Sequence, residues 1–118
     1  LIKYEIVGSR LSEERIDIEN EGQYMEEKTI KEIEGIIEQF GLLITQKSPL
    51  STLKGSTHYH LKIGKQAGLL EVTYWPVKKR LWVEIHDNRR AEWNQAMISS
   101  FSEALAVCFS GSLEHIVN

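Results

Sequence analysis

One stretch of this chain alternates apolar and polar residues with a regularity that restricts its fold. Tyr59, Leu61 and Ile63 alternate with His58, His60 and Lys62. Leu70, Val72 and Tyr74 alternate with Glu71, Thr73 and Trp75, and Leu81, Val83 and Ile85 with Trp82, Glu84 and His86. Gly64-Lys65-Gln66-Ala67-Gly68 and Pro76-Val77-Lys78-Lys79 separate the runs. Successive side chains of a strand point to opposite faces, so each run has one apolar face and one polar face. Connections this short demand antiparallel pairing. The pattern predicts a three-stranded meander whose apolar face must be covered by something else.

Helices supply the cover. Ile30, Ile33, Ile37 and Phe40 recur on one helical face and predict a helix over residues 25–40. Glu26 and Glu27 in its first turn suit the helix dipole, and Gly41 can take the left-handed stop conformation. A second helix is expected from about Arg89 to Phe109, with Trp93, Met97, Phe101, Ala104, Leu105 and Cys108 inward. Asn88 or Asp87 would cap its start and Gly111 would stop it. Residues 42–47 read as a further strand ended by Pro49, followed by a loop through 51–56. Residues 2–7 and 15–19 alternate as well, suggesting a hairpin around Gly8 to Glu14.

The expected fold is α+β: a two-layer sandwich with an antiparallel sheet of about four strands, extra N-terminal strands, and both helices on one face. The 118 residues read as a single domain. Residues 1–24 would be a loosely attached hairpin or extension, and 112–118 a frayed tail.

Composition narrows the setting. The 42% hydrophobic and 26% charged content is that of a globular domain. One cysteine, Cys108, excludes an internal disulfide framework and any multi-cysteine metal cluster. No apolar run approaches the roughly 18–20 residues of a membrane span, and the first segment lacks the apolar core of a signal peptide. A cytoplasmic location without membrane attachment is expected.

The formal charge of −3 hides a segregation. Residues 1–40 carry 5 basic and 11 acidic side chains; residues 41–90 carry 9 basic and 3 acidic; residues 91–118 carry three Glu and no Lys or Arg. The segments therefore run −6, +6 and −3. A basic block of this kind suits an anionic partner, or else packs against the acidic segments.

Pairing Ile63 with Leu70 and Tyr74 with Leu81 lines up the polar face in rows. These are His58–Trp75–Arg80, His60–Thr73–Trp82 and Lys62–Glu71–Glu84. Flat aromatic rings beside cations are what a single-stranded nucleic-acid platform uses, at about 1–3 kcal/mol per stacked base. Trp75 and Trp82 would stack; His58, His60, Lys62, Lys78, Lys79, Arg80, Arg89 and Arg90 would supply positive charge. Arg89 and Arg90 would sit at the start of the last helix, where backbone donors and guanidinium groups suit a phosphate. The helix–three strands–helix order from residue 25 onward is similar to that of double-stranded-RNA-binding domains, which also present cations at the start of their last helix. The similarity is one of element order; the strand at 42–47 and the acidic last helix depart from it.

The leading expectation is thus a non-enzymatic module binding nucleic acid or another anionic partner, without a cofactor. An alternative is a protein-interaction or homodimer domain using the same face. A remoter one is a metal site on His58 and His60, completed by Glu84 or Glu71. In the expected register His86 lies about 13 Å along its strand from the row of His60, which would keep it out of such a site. Gly64–Gly68 lacks the spacing of a phosphate loop, Ser110-Gly111-Ser112 lacks the context of a nucleophile elbow, and Cys108 lies on an apolar face. No catalytic motif is present.

Overall fold

A computed structural model describes the backbone of residues 1–12 and 19–117 and the side chains of 1–11 and 25–117. The elements are β1 (Ile2–Val7), α1 (Glu19–Gln39), β2 (Leu43–Leu50), β3 (Leu53–Lys62), β4 (Leu70–Trp75), β5 (Arg80–Ile85), α2 (Glu92–Cys108) and β6 (Ser112–Ile116). All six strands form one antiparallel sheet in the order β2-β3-β4-β5-β1-β6. Both helices cover one face of it, as the alternation requires.

The buried layer is the one marked out by periodicity. Tyr59, Leu61, Leu70, Val72, Leu81, Val83 and Ile85 meet Ile33 and Ile37 of α1 and Phe101 and Leu105 of α2. Each such side chain contributes roughly 1.5–3 kcal/mol by leaving water. Phe40 and Phe101 pack edge to face, with ring centroids 5.3 Å apart, and join the two helices. In α2 the inward face centres on Ile98, Phe101 and Leu105. Trp93, Met97, Ala104 and Cys108 lie partly buried beside it.

Several boundaries differ from expectation. α1 begins at Glu19, within the alternating run 15–19; the rest of that run lies outside the described residues. β2 continues through Pro49 to Leu50, and β3 already starts at Leu53. Proline is tolerated there because β2 is an edge strand and its pairing with β3 is irregular between Ser48 and Leu50. α2 starts at Glu92, so Arg89 and Arg90 precede it instead of forming its first turn. Neither Asp87 nor Asn88 caps it; the Asn94 side chain accepts from the Ala91 N–H at 3.0 Å.

The chain ends differ most. β1 is an interior strand between β5 and β6, not a loosely attached extension. Residues 112–116 are not a frayed tail but the strand that pairs with β1, Tyr4 stacking on His115 at 4.6 Å. Among the described residues, no helix is long and apolar enough to cross a membrane.

Candidate metal centre on the open sheet face

The face of the sheet turned away from the helices carries the polar residues of the meander. β4 and β5 pair as the alternation suggests, with Glu71 opposite Glu84, Thr73 opposite Trp82 and Trp75 opposite Arg80. β3 is displaced by two residues from the expected register. Leu61, not Ile63, faces Leu70, so His58 faces Thr73 and His60 faces Glu71. The observed rows are His58–Thr73–Trp82 and His60–Glu71–Glu84.

In this register the β3–β4 loop is anchored to the approach to α2. Leu69 N–H donates to the Arg89 carbonyl, Trp93 Nε1–H to the Ala67 carbonyl, and Asn94 Nδ2–H to the Leu69 carbonyl. β3 ends at Lys62 and β4 begins at Leu70, on either side of this loop. A slip of two residues keeps every side chain on its own face, so the hydrophobic pattern does not oppose it.

The consequence is a cluster around one carboxylate. His58 Nε2 lies 2.9 Å and His60 Nε2 3.5 Å from Glu71 Oε1. His86, just past the end of β5, places Nε2 3.3 Å from Glu71 Oε2 and 3.2 Å from Glu84 Oε1. The offset of His86 from the row of His60 thus falls from four residues in the expected register to two. His58 and His60 pack edge to face at 5.2 Å. Thr73 Oγ1 is 2.7 Å from His58 Nδ1 and fixes that ring from behind.

The cluster is graded in depth. Residues His58, Glu71 and Thr73 are 4%, 6% and 0% exposed, whereas the side chain of His86 is 48% exposed. Burial works against the charged form of Glu71, but the His58 hydrogen bond and the fields of His86, His58 and His60 outweigh it. Its pKa lies below the ordinary carboxylate value. Burial lowers the pKa of His60; Glu71 opposes this, while His58, Arg89 and His86 add to it. Ionised Glu71 and neutral His60 are the protonation states that metal coordination requires.

Imidazole nitrogens and carboxylate oxygens are donor types that a divalent transition metal accepts. An ion with bonds of about 2.1 Å spreads neighbouring ligand atoms about 3.0–3.4 Å apart, from octahedral to tetrahedral geometry. The four contacts above span 2.9–3.5 Å. Two triads, His58–His60–Glu71 and Glu71–Glu84–His86, each hold three donor atoms within 4.8 Å of one another. With no ion, the same spacing serves hydrogen bonds in which the imidazoles donate to the carboxylates.

The other residues singled out by sequence are dispersed. Trp82 is 6% exposed, with Lys3 Nζ and the Arg80 guanidinium each 4.7 Å from its ring centre. Arg80 forms a two-pronged pair with Glu5 at 2.7 and 2.8 Å. Trp75 donates Nε1–H to the Lys54 carbonyl at 2.9 Å. Trp75 and the turn bearing Lys78 and Lys79 lie at the end of β4 remote from Glu71. Lys62 ends β3 opposite Leu43, and Arg90 pairs with Asp87 at 2.8 Å. Of the cluster's members, His86 is the one that the expected register kept apart; Glu71 and Glu84 were the carboxylates considered for completing a site on His58 and His60. The signal for His86 was the spacing Glu84-x-His86, which places both on one strand face as His58-x-His60 does.

Comparison with protein-family models, curated proteins and solved structures returns no match.

Proposed function

We propose that this domain binds a divalent transition metal, such as Zn²⁺, through His58, His60 and His86 with Glu71 and Glu84. The observation that carries the reading is the convergence of three imidazoles from β3 and the end of β5 on Glu71, a carboxylate directly opposite a second one. Like charges facing each other across strands are destabilising unless a cation offsets them. A protonated imidazole or a bound ion fills that role. Thr73 supports it: when His58 Nδ1–H donates to Thr73 Oγ1, the lone pair of Nε2 points to the centre. Three protein donors per triad leave coordination positions for water or substrate.

The test is titration of metal-stripped protein with Zn²⁺ by calorimetry and with Co²⁺ by visible absorption. Saturable binding, with Co²⁺ bands weakened in His58→Ala and His60→Ala, is expected. Absence of binding and of Co²⁺ bands in the folded wild-type protein overturns the proposal.

Nucleic acid or another anionic partner in a cytoplasmic setting is the second reading. It draws support from the Arg89 guanidinium, whose charge reaches His60, and from Lys62 at the end of β3. It ranks lower because the Trp82 ring is already occupied by Lys3 and Arg80.

A further inference from the structure

The arrangement of the two triads goes beyond the binding of a single ion. The geometry points to a dinuclear centre in which Glu71 bridges two divalent metal ions. This inference rests on the metal-binding reading and specifies its stoichiometry.

The two oxygens of Glu71 already serve different sets of groups. Oε1 faces the Nε2 atoms of His58 and His60. Oε2 faces the Nε2 atom of His86, which also touches Glu84 Oε1. Among the described residues, Glu71 alone is common to the two triads. A carboxylate used through both oxygens in this way holds two ions about 3.5–4 Å apart, the spacing of two-metal sites. The inner position would have His58, His60 and Glu71 Oε1; the outer would have Glu71 Oε2, Glu84 and His86.

Charge and burial separate the two positions. Two carboxylates offset one divalent ion fully; a second leaves surplus positive charge, which water-derived hydroxide or an anionic ligand would balance. The inner position is lined by buried His58, the outer by half-exposed His86. The inner ion should therefore bind first and more tightly, and the outer one second and in faster exchange.

Equilibrium dialysis of the full chain against Zn²⁺, and Mn²⁺ titration followed by electron paramagnetic resonance, read this directly. Two ions per chain are expected in the wild type, with the Mn²⁺ spectrum changing to that of an exchange-coupled pair at the second equivalent. His86→Ala, at a half-exposed position, should retain its fold by circular dichroism and bind one ion. Glu71→Gln should lose the coupled signal. One ion per wild-type chain, or two ions with no coupling, overturns the bridging role while leaving metal binding intact. No ion at all overturns both this inference and the reading it rests on.

Discussion

Cys108 shows how a single side chain's neighbours set its chemistry. Its thiol points into the contact between the helices, with Sγ 3.3 Å from Glu32 Oε2. Burial and the Glu32 carboxylate push its pKa up to about 11, against a smaller opposing effect of Arg10. The thiolate is the reactive form, so at pH 8 alkylation by iodoacetamide should run roughly 100-fold slower than for an unperturbed cysteine. The rate should climb about tenfold per pH unit beyond pH 9; a plateau near pH 9 would contradict this environment. Packing of Cys108 was legible from its place on an apolar helical face, whereas the carboxylate beside it was not. Glu32 lies 76 positions away in sequence, and only the docking of α1 against α2 brings the two together. The same holds for Glu5 and Arg80, 75 positions apart, which link an acidic segment to the basic block.

The helix ends carry the most local information, and they also show its limit. Gly41 closes α1 as expected: it sits at φ +69°, its N–H donates to the Glu38 carbonyl, and Leu42 N–H donates to that of Ile37. The end of α2 repeats this pattern with the left-handed position taken by Ser110, at φ +56°, one residue before the glycine expected to hold it. Gly111 instead permits a close approach between chain segments, since a Cβ there would lie 2.7 Å from the Val7 carbonyl oxygen of β1. Ser110→Gly should therefore stabilise the protein by about 0.5–1 kcal/mol, since a non-glycine residue in this region is strained. Gly111→Ala should destabilise it by about 1–3 kcal/mol through that collision. Urea unfolding midpoints distinguish the two; a loss of stability for Ser110→Gly would refute the assignment. The exchange of roles was hidden because a glycine needed for close approach and one needed for positive φ look alike in sequence.

Across the whole molecule, the chain ends determine how the sheet is finished. β6 covers the outer edge of β1, which would otherwise expose a row of unpaired N–H and C=O groups. Truncation after Gly111 should lower the unfolding midpoint and promote association, read by urea unfolding and light scattering. A truncated chain as stable and monodisperse as the full one would mean that β6 contributes nothing. The segregated charge is resolved partly at this scale. The acidic first segment reaches the basic block through Glu5 with Arg80 and Glu34 with Lys47, the latter at 2.6 Å. The polar face is thus partly neutralised from within, and its distinctive feature becomes the group of imidazoles and carboxylates around Glu71.

The sequence by itself determined which residues face the helices and which face outward, because period-2 alternation and a helical apolar stripe are local properties. It also determined the meander, the two helices and the α+β class. The tertiary structure alone decided which outward residues meet. A two-residue slip preserves the apolar face completely, so the hydrophobic pattern is equally satisfied by either register. The observed register goes with a β3–β4 loop held by Arg89, Trp93 and Asn94 near α2. This register takes His58 from the row of Trp75 to that of Thr73 and Trp82, takes His60 to Glu71, and gathers both, with His86, around a shared carboxylate.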